Sequence, residues 1–269
     1  MSDFKLFRKN DGSKRTCSSL ADFFGDWKEG QEKILYIAPH DDDIVLGAGL
    51  LLQLCEQENV PQSMWITSDG SMGYCKEEQK ENIAEIRRQE TIDSFKDLGI
   101  SDVNWFNFPD TNLMNHSGRR VAKEGDPFIK CGHTGLQNAY TWLIRKEKPT
   151  RVFLATGSDY HPDHKAVYQE ALISIFHAGG NIWPELGEVL KETPKVYEMA
   201  LYCDFPTEPN MKITADQDAF EKKLDGILKY QSQEQIAKMV EGIRAGGSVE
   251  YFLDIVFNFY SPKNYENSF

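Results

Sequence analysis

Ile34-Leu35-Tyr36-Ile37-Ala38-Pro39-His40-Asp41-Asp42-Asp43 runs from five apolar residues directly into a histidine and three acids. An unbroken short apolar run is the pattern of a parallel strand buried on both faces. Beyond the acids, residues 45–56 repeat their apolar side chains at helical spacing. The stretch is therefore a strand that turns into a helix, with its polar residues at the turn.

The same unit recurs downstream. Residues 63–67 predict a second strand ending at Ser68-Asp69-Gly70, and residues 79–98 a long helix stopped by Gly99. Val103–Phe108 reads as a third strand closed by Pro109-Asp110, Leu136–Glu147 as a helix and Arg151–Ala155 as a fourth strand. Residues 163–176 predict a helix, 195–203 a fifth strand, 220–236 a C-terminal helix and 249–257 a last one. Residues 111–133 are polar and irregular, and a segment this long inside a compact domain is often a functional loop. Residues 1–30 read as an N-terminal extension packed on the domain, with a short helix over 18–27, and residues 31–269 as one domain. Alternating strands and helices imply an α/β fold, a Rossmann-like three-layer sandwich around a mostly parallel sheet. In such sheets ligands bind beyond the carboxyl ends of the strands. His40, Asp69, Asp110 and His161 all follow predicted strands.

Composition narrows the function. The chain has 269 residues, 40% hydrophobic and 27% charged, enough for an ordinary globular core. Its formal net charge of -12 disfavours nucleic acid and anionic membranes, which require Lys and Arg to replace counterions. No apolar run approaches the roughly 20 residues of a membrane span, and residues 1–10 are too polar for a signal peptide. The five cysteines form no Cys-x-x-Cys pair, so the expectation is a cytoplasmic protein with reduced thiols and no thiolate zinc site. A homo-oligomer is left open.

Two motifs carry chemistry. In the first, three acids beside His40 repel one another unless a cation neutralises them. His40 and Asp43 are three apart, so both can point at one ion, with Asp42 beside it. Helix capping by acids accounts for one Asp but not for three with a histidine. The second motif is Tyr160-His161-Pro162-Asp163-His164, where two histidines three apart can converge on one site and Pro162 suits the first turn of a helix.

Pro39-His40-Asp41-Asp42-Asp43 with His161-Pro162-Asp163-His164 resembles the PIG-L/LmbE-like zinc deacetylases, whose motifs read His-Pro-Asp-Asp and His-Pro-Asp-His. Arg87-Arg88-Gln89-Glu90 before Leu98-Gly99, Phe108-Pro109-Asp110 and Lys229-Tyr230-Gln231-Ser232-Gln233 are similar to further family segments. Asp41 departs from the pattern, standing where the family usually has Pro. The resemblance implies one Zn²⁺ per chain held by His40, Asp43 and His164, with a coordination position left open for catalysis. It implies Asp42 as general base. His161, held and tuned by Asp163, would stabilise the oxyanion or protonate the leaving amine. Arg87 and Asp110 are expected to contact substrate, and His116, Arg119 and Arg120 to shape its pocket. The expected reaction is deacetylation of a small N-acetylglucosamine-type amino sugar. Three other readings compete: a zinc phosphoesterase, a non-catalytic sugar-binding relative, and a nucleotide-binding module. The last lacks a Gly-x-Gly-x-x-Gly turn after the first strand.

Overall fold

The computed structural model describes residues 2–10, 12–257 and 260–268. Its first elements are β1 (Phe4–Asn10), β2 (Ser13–Cys17), α1 (Leu20–Phe24), β3 (Ile34–Ala38), α2 (Asp43–Gln57), β4 (Gln62–Ser68) and α3 (Ile83–Asp97). There follow β5 (Val103–Phe108), β6 (Arg120–Val121), β7 (His133–Thr134), α4 (Leu136–Glu147), β8 (Arg151–Ala155) and α5 (Pro162–Gly179). The chain closes with β9 (Lys195–Met199), β10 (Met211–Ala215), α6 (Gln217–Ile227), α7 (Ile236–Gly246) and β11 (Val249–Ile255).

Nine strands make one sheet in the order β2-β1-β10-β11-β9-β8-β3-β4-β5. The strands from β9 to β5 in that order are mutually parallel. The rest join one another, and β9, antiparallel. The fold is α/β, but the expected mostly parallel, Rossmann-like sheet is corrected to a mixed one. The antiparallel half comes from segments without an apolar run. β1 and β2 form a polar hairpin, and β11, expected as a helix, is a strand between β10 and β9. Its burial has period two, with Glu250 and Phe252 buried around exposed Tyr251. The helix expected over 220–236 ends in α6, and the chain turns around buried Tyr230 before α7.

Strand β3 feeds two apolar cores. Ile34, Tyr36 and Ala38 pack with residues of α2, α3 and α6 such as Val45, Phe95 and Leu224. Leu35 and Ile37 face the other side, with Leu143 of α4 and Val167 of α5. The neighbouring strands β3 and β8 thus send their chains to opposite faces, and a crevice opens between their carboxyl ends. No helix among the described residues is long and apolar enough to cross a membrane.

Helix α2, which carries the acidic turn, is broken at Ala48 (φ -139°, ψ 19°). A buried ion pair caps both sides of the break. Lys223 donates to the Leu46 carbonyl at 2.9 Å and to Glu250 at 2.7 Å. Glu250 accepts the backbone N–H of Leu50 at 2.7 Å and of Leu51 at 3.0 Å. Glycine flanks the break because a Cβ at Gly49 would lie 2.8 Å from Lys223 Cγ. Replacing Lys223 with Met leaves the Glu250 charge buried and unpaired, and chemical denaturation should read a loss of about 3–5 kcal/mol. A loss below about 1 kcal/mol, the scale of an exposed pair, would contradict this role.

Candidate metal centre and active site

Both motifs converge at the crevice. His40 and Asp43 lie where β3 passes into α2, and His164 lies in the first turn of α5 after β8. His40 Nδ1 is 3.5 Å from Asp43 Oδ2 and 3.3 Å from His164 Nε2, and His164 Nε2 is 3.5 Å from Asp43 Oδ1. Zinc bound tetrahedrally at about 2.0–2.1 Å separates its donors by about 3.3–3.4 Å. Asp43 Oδ1 is fully buried without a hydrogen-bond partner, an orphan that a cation among these atoms would satisfy. The donors fit a small divalent ion.

The outward nitrogen of each imidazole meets carboxylates. His40 Nε2 lies 3.3 Å from Asp110 Oδ1 and 3.4 Å from Asp163 Oδ2. His164 Nδ1 lies 3.1 Å from Asp159 Oδ2. The contacts of His40 Nε2 place its ring proton outward and turn the Nδ1 lone pair inward, whereas His164 Nδ1 and Asp159 Oδ2, though close, make no hydrogen bond. His40, Asp110 and Asp163 also stand close enough to suggest a metal group, as do His40, His161 and His164. Both aspartates also accept backbone N–H groups, as Asp43 Oδ2 does from His40 at 2.8 Å. The Thr111 N–H donates to both Asp110 Oδ1 and Asp163 Oδ2 at 2.8 Å, Met72 N–H to Asp110 Oδ2 at 3.1 Å and Leu113 N–H to Asp163 Oδ1 at 3.2 Å. Thr111 takes φ +60° to make that double contact, a left-handed conformation costing on the order of 1–3 kcal/mol in a β-branched residue.

Charge is unbalanced here. Asp41, Asp42, Asp43, Asp110, Asp159 and Asp163 are all buried. Among the described residues the one permanent cation paired with any of them is Arg87, on Asp41 at 3.0 Å and Asp42 at 3.4 Å. Burial opposes a charged His40, yet the carboxylates of Asp110, Asp163 and Asp43 outweigh it and raise its pKa well above the usual value. Burial likewise opposes the Asp43 carboxylate, but His164 and His40 pull its pKa to about 2. The cluster favours positive charge at its centre.

Asp42 precedes α2 and makes no side-chain capping bond, so its carboxylate is free of the helix N-terminus. Burial raises its pKa from the ordinary aspartate value against the pull of Arg87. His161 is half-buried, its ring centroid 4.7 Å from that of His40 and 5.0 Å from that of His164. The expected contact between His161 and the Asp163 carboxylate is replaced by a backbone one, Asp163 N–H donating to His161 Nδ1 at 3.2 Å. Side chains two apart on a helix do not face each other, and Asp163 turns to His40. Arg87 and Asp110, expected at the substrate, are 5% and 6% exposed; Arg87 pairs with Asp41 and Asp42, and Asp110 lies against His40. Arg119 bonds Asn138 and Glu185, and Arg120 bonds Asp126. Both therefore brace the long loop, while His116 packs on Phe108.

Two residues escaped the sequence reading. Asp159, two positions before His161, had a signal in the density of acids and histidines there. Tyr202 had none. Its ring lies 5.5 Å from that of His164, and the nearby Asp42 carboxylate holds its hydroxyl in the neutral form.

The family model for PIG-L, described as GlcNAc-PI de-N-acetylase, matches residues 35–175, just over half of the chain. A diacetylchitobiose deacetylase of Thermococcus kodakarensis is 28% identical over 138 residues, 50% of this chain and 45% of that protein. The match thus spans under half of the relative's length. In structure, the chain resembles the N,N'-diacetylchitobiose deacetylase of Pyrococcus horikoshii (TM-score 0.64, 24% identity, 83% of this chain and 84% of that one). It also resembles GalB, the 4-carboxy-2-hydroxymuconate hydratase of Pseudomonas putida KT2440 (TM-score 0.62, 16% identity, 86% and 99%). These likenesses speak for the fold, which serves more than one reaction. With both motifs gathered at one centre inside the matched segment, the chain belongs to the PIG-L family.

Proposed function

We propose that the protein is a zinc-dependent hydrolase that removes the acyl group from an N-acetylglucosamine-type amino sugar. The observation that carries this reading is the convergence of His40 Nδ1, His164 Nε2 and the Asp43 carboxylate at 3.3–3.5 Å, each imidazole backed by a carboxylate. When bound, zinc polarises an amide carbonyl and acidifies water. Asp42, buried beside the ligands, takes the proton of the attacking water. His161 accepts a backbone N–H at Nδ1, so its own proton sits on Nε2. Burial, then His40 and His164, lower its pKa, which suits a neutral donor to the oxyanion.

Asp110 serves the centre through His40, and Arg87 through the acids of the first motif. The sugar instead meets an apolar rim. Met72, Tyr160 and Tyr202 are all at least half exposed. Each adjoins a residue of the centre, in sequence or by contact. The phosphoester alternative fits poorly, because six buried aspartates around one arginine repel an anionic substrate.

Metal analysis of the purified protein should find about one zinc per chain, lost in His40→Ala and His164→Ala. Asp42→Asn should retain zinc while amine release from N-acetylglucosamine derivatives falls about 10²–10⁴-fold in kcat. Full zinc binding by His40→Ala, or an active Asp42→Asn, would refute these assignments. Asp110→Asn keeps the shape but weakens the brace on His40. Competition with a zinc chelator should read about 10–100-fold weaker affinity, and wild-type affinity would mean that Asp110 acts elsewhere.

A further inference from the structure

Asp41 occupies the position where the family pattern has Pro, and it is 1% exposed. Its Oδ2 accepts Arg87 Nε–H at 3.0 Å, and its Oδ1 accepts the Trp105 indole N–H at 3.0 Å and the Thr91 hydroxyl at 3.4 Å. Its backbone carbonyl accepts the Tyr230 hydroxyl at 2.8 Å. The loop after β4 closes over the pair. A Cβ at Gly70 would come within 2.7 Å of Asp41 Oδ2, and one at Gly73 within 2.6 Å of Arg87 Nη1. Arg87 is therefore gripped by its Nε edge, and its Nη2 reaches Asp42 Oδ1 at 3.4 Å, well beyond the roughly 2.7–2.9 Å of a charge-assisted bond.

We propose that Asp41 is a positioning residue that holds Arg87 back from Asp42, leaving the Asp42 carboxylate free to face the reacting water. The role of Asp42 as base is taken from the hydrolase reading; the restraint on Arg87 is independent of it. Without the Asp41 charge, Asp42 is the carboxylate still in contact with a buried guanidinium. A guanidinium prefers a two-pronged grip on a carboxylate, and that grip would occupy both Asp42 oxygens.

The test compares zinc-loaded wild type, Asp41→Asn, Arg87→Gln and the double variant, read by kcat, KM, zinc content and crystal structures of wild type and Asp41→Asn. Asp41→Asn should lower kcat about tenfold or more, with KM and zinc content within about twofold, since a misplaced catalytic group costs rate rather than binding. In its crystals Arg87 should sit two-pronged on Asp42. The double variant should recover at least about threefold over Asp41→Asn, a coupling that independent sites do not give. Unchanged kcat, a kcat loss that tracks lost zinc, or a double variant no better than Asp41→Asn overturns the proposal. So does an Arg87 that has not moved. If Asp41→Asn fails to fold, Asp41→Ser makes the same comparison. A wild type inactive on every amide defeats the hydrolase reading, and the position of Arg87 in the variant crystals still decides this one.

Discussion

Six aspartates withdrawn from water around His40, His164 and Arg87 form the constraint on which the rest of the structure depends. Ionised carboxylates buried this close together are tolerated only where positive charge compensates them. Asp43 Oδ1, buried without a hydrogen-bond partner 3.5 Å from His164 Nε2, is where a cation would compensate them. The surrounding arrangement follows from keeping these groups in place. Backbone N–H groups hold Asp110 and Asp163, Asp159 meets the outer nitrogen of His164, and Thr111 adopts a strained backbone to serve two carboxylates with one N–H.

Topology brings the groups together at little cost. Where β3 and β8 part to opposite faces of the sheet, the first residues after each strand share the crevice, and His40, Asp43, His161 and His164 all lie there. The remaining parallel strands add supports. The turn after β5 brings Asp110, and β5 itself brings Trp105 to Asp41. Segments remote in sequence close the back. Tyr230 reaches the Asp41 carbonyl, Ser232 binds Glu90 of the Arg87 helix, and Glu250 caps the broken α2 across a separation of 200 residues.

The parallel strands and the turns that carry the two motifs were legible in the sequence because both signals are local. An apolar run declares a buried strand, and acids packed beside histidines at its end have few purposes. The antiparallel half was not legible. β1, β2 and β11 mix charge with apolar residues, and their pairing comes from tertiary context. Side-chain direction was also hidden. Spacing places Asp163 near His161, yet its carboxylate turns to His40, and Arg87, expected to contact substrate, is packed under the loop at Gly70 and Gly73 against Asp41. Tyr202 follows β9 with no motif around it, and only the fold sets it against His164.

The most direct test of the central claim is anomalous diffraction at the zinc edge from crystals of the purified protein. One peak per chain is expected about 2 Å from His40 Nδ1, His164 Nε2 and the Asp43 carboxylate. A peak on the other side of His40, between Nε2 and the carboxylates of Asp110 and Asp163, or zinc-loaded crystals with no peak at this crevice, would contradict it.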